Sequence, residues 1–136
     1  RNRLGASMVT GASGGKTALA VGEDGERRAM RHLQQQGLTL VERNYRVARG
    51  PSKRGGEIDL IMLARDGTLV FVEVRARGDA SHGGAAASIS FAKRSKLIRA
   101  AQHYLLRCEV LPPCRFDVVA VDEGQLTWLQ AAFDAA

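Results

Sequence analysis

An α/β domain with its elements in the order α-β-β-β-α-β-β is what this sequence predicts, and three observations predict it. Apolar residues recur at helical spacing in two stretches, one ending at Gly37 and one beginning after Ser88 or Ser90. Five shorter runs are rich in branched or aromatic residues and are bounded by turn formers, which marks them as strands. Two of those runs, Ile58–Leu63 and Leu69–Val74, flank Arg65-Asp66-Gly67 and so read as a β-hairpin. Segments in this succession bury their apolar sides by laying helices on the faces of one sheet.

Residues 1–16 are rich in Gly and Ser and lack periodicity, which predicts a flexible tail ahead of one domain over 17–136. Gly11–Thr17, GASGGKT, is one residue short of a phosphate-binding loop, which needs glycine where Thr10 stands, and no long apolar strand precedes it. Helical periodicity runs from Thr17 to Gly37, a C′ glycine. Glu26, Ala29, Met30 and Leu33 share one face of it, so a carboxylate lies on an otherwise apolar stripe. Gly22 and Gly25 would let this helix approach the sheet and bring Glu26 towards the hairpin acids; the alternative is an ordinary first-turn carboxylate. Leu38–Val47 alternates as a strand, and the loop Ala48–Gly55 sets Arg49, Lys53 and Arg54 just before Glu57. After the hairpin, Gly78–Ala87 is small and flexible, with His82 as a lone proton carrier or an ordinary surface residue. The second helix, running to about Arg107, buries Leu97, Ile98, Ala101, Tyr104 and Leu105 beside a cationic stripe of Lys93, Lys96, His103 and Arg107. Leu111-Pro112-Pro113 ends it. Arg115–Val121 is a central strand with Asp117 as its internal acid, and Gln125–Leu129 is the last strand.

The hairpin carries the chemistry. Glu57, Asp59 and Glu73 interrupt runs otherwise apolar enough to be buried, and a buried carboxylate must be paired, protonated or bound to a cation. The turn decides whether they meet. A two-residue Asp66-Gly67 turn sets Asp59 opposite Val74 and scatters the acids. A three-residue turn with Gly67 left-handed pairs Asp59 with Glu73 and Glu57 with Arg75, and gathers Ile58, Leu60, Met62, Val70, Val72 and Val74 on the other face. The second register satisfies pattern and chemistry together. An Asp and a Glu side by side, offering oxygen alone, suit a hard cation such as Mg²⁺ or Mn²⁺.

Several short motifs occur in order: G-x-x-G-E at Gly22–Glu26, R-N-Y-R at Arg43–Arg46, G-E-I-D-L at Gly56–Leu60, F-V-E-V at Phe71–Val74 and R-F-D-V-V at Arg115–Val119. In this order they resemble the bacterial YraN family. Asp59 followed by Glu73-Val74-Arg75 resembles the signature of the PD-(D/E)xK nuclease superfamily. The resemblance implies a restriction-endonuclease-like core, a mixed β-sheet flanked by helices, and nucleic-acid binding or cleavage. Asp59 and Glu73, with the Val74 carbonyl, would hold the metal; Arg75 and Lys93 would act on the scissile phosphate; Glu26 and Glu57 would tune the site. Archaeal Holliday-junction resolvases have a similar core, which makes branched DNA a candidate substrate. Position 75 departs from the pattern, which has lysine there. A guanidinium keeps its proton, so Arg75 is no general base but still stabilises charge on phosphoryl oxygens. Lys93 stands where it would replace the missing lysine from outside the motif.

Composition bounds the partners. The 136 residues hold 20 Lys and Arg against 14 Asp and Glu, a net charge of +6, which favours an anionic partner. Arg49, Lys53, Arg54, Arg77 and Lys96 are the expected nucleic-acid contacts, with DNA the expected form. No apolar run approaches the roughly 18–20 residues of a membrane-spanning helix. Cys108 and Cys114 lack C-x-x-C spacing and neighbouring histidines, which predicts reduced thiols in a cytoplasmic protein and no structural zinc. A homodimer is compatible with this reading. Two other functions stay open: a nucleic-acid-binding module without turnover, which Arg75 favours, and a protein-interaction domain, which predicts no salt-sensitive binding to nucleic acid.

Overall fold

A computed structural model of the protein describes residues 18–48, 50, 55–76, 89–122 and 125–135. Helix α1 (Ala18–Gln35) is followed by β1 (Thr39–Val47), β2 (Gly56–Leu63), β3 (Leu69–Ala76), α2 (Phe91–Leu105), β4 (Cys114–Val121) and β5 (Leu126–Phe133). The expected order is therefore the observed one. The five strands form one sheet in sequence order, β1-β2-β3-β4-β5. Only β3 and β4 run parallel, because α2 returns the chain between them; the other neighbours are antiparallel. The sheet is mixed and carries a helix on each face.

Local chemistry sets the helix ends. Gly37 takes φ +100° and lets Leu38 N–H reach back to the Leu33 carbonyl at 3.0 Å, closing α1. Of the two serines eligible to start α2, Ser90 is the N-cap: its side chain accepts from Lys93 N–H at 3.1 Å.

Two clusters divide the core. On one face Ala29 and Leu33 of α1 pack on Leu60, Met62, Val70, Val72, Val119 and Val121. On the other, Leu97, Ala100, Ala101 and Tyr104 of α2 pack on Ile58, Ile61, Phe71 and Phe116. Phe71 links the α2 layer to the far edge of the sheet, lying against Tyr104 at 6.2 Å and Phe116 at 5.5 Å, with Phe133 stacked beyond Phe116 at 4.9 Å.

Three details differ from the sequence reading. Ile58 does not join Leu60 and Met62 but packs towards α2. The cause lies across the ladder: Asn44, between the Arg43–Leu60 and Tyr45–Ile58 pairs, is left-handed at φ 52°, and alternation shifts there, turning Tyr45 and Ile58 to the α2 side. The recorded β2–β3 ladder ends at Leu60–Val72, short of Glu57 and Arg75, while on its other side Glu57 is registered with Arg46 of β1. Strand β5 runs on to Phe133, past a bulge between Phe116 and Val118, because buried Asp117 accepts Ala131 N–H at 2.9 Å, Trp128 Nε1 at 2.8 Å and Arg115 Nε at 3.0 Å. Among the described residues no helix is long and apolar enough to cross a membrane.

Candidate active site

The hairpin takes the register that brings two acids together. Leu63–Leu69, Met62–Val70, Ile61–Phe71 and Leu60–Val72 pair across it, and the next step along both strands sets Asp59 beside Glu73. The turn that fixes this register has Gly67 at φ +92°, Gly67 N–H on the Ala64 carbonyl at 3.0 Å, and Asp66 Oδ1 accepting from Thr68 N–H at 3.0 Å. Asp59 Oδ2 accepts from Val74 N–H at 2.8 Å, and the Asp59 and Glu73 carboxyls share a hydrogen bond.

The surroundings make that contact demanding. Glu73 is only 4% exposed, in a strand whose preceding four residues are all buried. Burial first, then the Asp59 charge, push the Glu73 carboxyl up to about 7, against the pull of Lys93. Burial also raises Asp59, opposed by the Val74 N–H and by its hydrogen bond with Glu73, while the charge of Glu57 adds to the rise. Below about pH 7 the pair therefore holds one proton, which a bound cation would replace. Lys93, reaching down from the first turn of α2, puts Nζ 3.3 Å from Glu73 Oε2. A residue 20 positions beyond Glu73 thus completes the cluster.

The pair fits a divalent cation on donor chemistry. Both side chains offer hard oxygen, and each raises the need for a positive charge at the other. Among the described residues no group of three or more His, Cys, Asp or Glu gathers at one point, so backbone and water would complete the shell, which is how Mg²⁺ is commonly held.

Beside the pair, a groove of ≈ 290 Å³ is lined by Arg46, Val47, Gly55, Gly56, Glu57 and Lys96. Its wall depends on Gly56. A Cβ there would stand 2.6 Å from the Lys96 carbonyl oxygen and 3.1 Å from Ala100 N, so only glycine lets β2 approach the α2 backbone this closely. Arg99 Nε fixes the same corner by donating to the Gly55 carbonyl at 3.3 Å.

The other expected site residues distribute as follows. Arg75 is half-buried on β3, two residues beyond Glu73 and in register with Ala120 of β4. Glu57 is exposed on the groove. Glu26 is half-buried on α1, the helix that packs on the opposite layer near Val74. Arg49, Lys53, Arg54, Arg77 and His82 lie outside the described residues. Sequence reasoning missed Arg46 as a groove residue and Arg99 as its support. The signal for Arg99 was present: Lys93, Lys96 and Arg99 recur every third residue, which places them along one helix side.

A family model described as Uncharacterised protein family UPF0102 matches residues 25–121. Among curated proteins, a UPF0102 protein of Methylibium petroleiphilum is 61% identical over 88% of this chain and 98% of its own length. One from Acidovorax sp. is 56% identical over 94% of this chain and 95% of its own. A third, from Albidiferax ferrireducens, is 60% identical over 88% and 91% respectively. The matched segment contains Asp59, Glu73, Lys93 and the whole groove.

Proposed function

The chain belongs to the uncharacterised protein family UPF0102, the YraN family, and we propose that it is a metal-dependent phosphodiester hydrolase acting on nucleic acid, with branched DNA a candidate substrate. The observation that carries this reading is the contact of a buried carboxyl, Glu73, with a half-buried one, Asp59, and with a lysine, Lys93, near a groove bearing Arg46 and Lys96. Perturbed acids clustered with a cation beside a cleft are the common dress of a catalytic site.

Asp59, Glu73 and the Val74 carbonyl are the proposed holders of Mg²⁺ or Mn²⁺. Such a cation supplies Lewis acidity towards a phosphoryl oxygen and an acidified water. Asp59 is oriented for that role by the Val74 N–H, which fixes one carboxylate oxygen and leaves the other for the site. Lys93 neutralises Glu73 and stands ready to bind a non-bridging oxygen of the scissile phosphate. Arg75 holds charge on the same phosphate and takes no proton.

A non-catalytic nucleic-acid-binding module is the second reading, and the arginine at position 75 favours it. Cleavage of four-way junctions and linear DNA with Mg²⁺ or Mn²⁺ separates the two. Asp59→Asn and Glu73→Gln are expected to abolish cleavage and leave binding intact or tighter, since each removes negative charge near phosphate. Arg75→Lys is expected to keep most of the activity. A wild-type chain that binds every substrate, cuts none, and gains nothing from Arg75→Lys would establish the second reading.

A further inference from the structure

The groove beside the acid pair has a mixed lining that the hydrolysis itself does not require. Two cations, Arg46 and Lys96, line it together with a carboxylate, Glu57, which is the cross-strand partner of Arg46, and with Val47, Gly55 and Gly56. A site for a bare anion gains nothing from Glu57, which repels it. A ligand that carries an anionic group at one end and hydrogen-bond donors at the other uses all three charges. A nucleotide whose base bears an exocyclic amine is such a ligand, since a carboxylate accepts from the amine of cytosine while arginine and lysine hold the phosphate.

Position and rigidity agree. Glu57 precedes Asp59 by two residues, and Lys96 follows Lys93 by three, about 4.5 Å along the helix axis. The groove is thus near the acid pair, as the charge of Glu57 acting on Asp59 also shows, and a nucleic-acid strand bound at the pair would have a neighbouring nucleotide within reach of it. The Gly56–Lys96 approach and the Arg99–Gly55 hydrogen bond hold the walls in place before any ligand arrives.

We infer that this groove is the subsite for the nucleotide adjoining the scissile phosphate, in which Arg46 and Lys96 bind its phosphate and Glu57 selects a base carrying an exocyclic amine. The inference rests on the nucleic-acid reading above and deepens it.

The test is an amide-resolved NMR titration of the full chain, without divalent cation, using deoxycytidine monophosphate, thymidine monophosphate and inorganic phosphate. Saturable shifts are expected at Gly55, Gly56 and Glu57, with the cytidine nucleotide bound roughly tenfold more tightly than either comparator. Arg46→Ala and Lys96→Ala, both at exposed side chains, should each weaken both nucleotides about tenfold. Glu57→Gln should erase the preference for cytidine and leave phosphate affinity unchanged or higher. Inorganic phosphate binding as tightly as the nucleotides, or nucleotide binding indifferent to Arg46→Ala and Lys96→Ala, would overturn the inference. Because no cation or cleavage is involved, a chain that cuts DNA but shows no nucleotide binding in the groove loses this inference alone. One that binds the nucleotide here but never cuts loses hydrolysis and keeps the subsite.

Discussion

Among the described residues, Glu73 has the carboxyl pushed furthest from its ordinary value. Its carboxyl is nearly inaccessible, touches Asp59 and is held up at about 7 against an ordinary value of 4.5. A carboxyl whose folded value lies above its unfolded one contributes stability that is complete below about 4.5 and lost as pH rises through about 7. The cation-free wild type is therefore expected to lose on the order of 3 kcal/mol of unfolding free energy between pH 5 and pH 8. Glu73→Gln, which cannot ionise, should be flatter over that range and more stable than wild type at pH 8. Urea unfolding at the two pH values checks this; parallel losses in the two proteins would remove Glu73 as the source. The Asp59–Glu73 contact was legible in the sequence because a count of turn residues fixes which side chains oppose. The Glu57–Arg75 pair lies beyond the recorded β2–β3 ladder. It depended on regular alternation continuing past Asp59, and a left-handed Asn44 in the neighbouring strand is invisible to a pattern read along β2 alone.

At the scale of elements, α2 does the positioning. It covers Ile61 and Phe71, delivers Lys93 to Glu73, and lies against β2 at Gly56 so closely that no side chain fits between. Gly56→Ala is expected to cost roughly 1–3 kcal/mol, since the added carbon meets backbone atoms that cannot turn aside. Gly25→Ala makes the opposite prediction. Its added carbon would find Val121 and Val74 at 3.9 and 4.0 Å, ordinary contact, and an alanine inside α1 should stabilise the protein by roughly 0.5–1 kcal/mol. Thermal unfolding of the two variants should move the midpoint in opposite directions; a fall in both would mean that α1 is as tightly seated as α2. Both glycines stand in short motifs of the sequence, yet only the packed structure shows which one is sterically required. The helix and strand order was readable from periodicity. The end of β5 was not, because the buried Asp117 that holds Ala131 across a bulge acts through hydrogen bonds and leaves no apolar signature.

For the whole molecule, a net charge of +6 and the exposed cations Arg46 and Lys96 beside the acid pair favour a polyanion. Binding of DNA should weaken steeply between about 50 and 200 mM salt, as cations that neutralise phosphates release condensed counterions. Electrophoretic shifts over that range check it, and affinity indifferent to salt would point to a partner other than nucleic acid. Charge counts favour an anionic partner from sequence. They did not single out the groove, which forms only when β1, β2 and α2 converge, and Arg46 joins it through strand pairing with Glu57 rather than through sequence proximity to Lys96.

Asp59 and Glu73 are proposed to come together to hold a cation, and Mn²⁺ binding followed by electron paramagnetic resonance at pH 8 tests this most directly. At that pH Glu73 is mostly ionised even without metal, so the proton is a weak competitor. Saturable binding of one Mn²⁺ is predicted, weakened at least ~10-fold by Asp59→Asn or Glu73→Gln and little changed by Glu57→Gln, with Mg²⁺ displacing it. Mn²⁺ affinity equal in wild type, Asp59→Asn and Glu73→Gln would contradict the account.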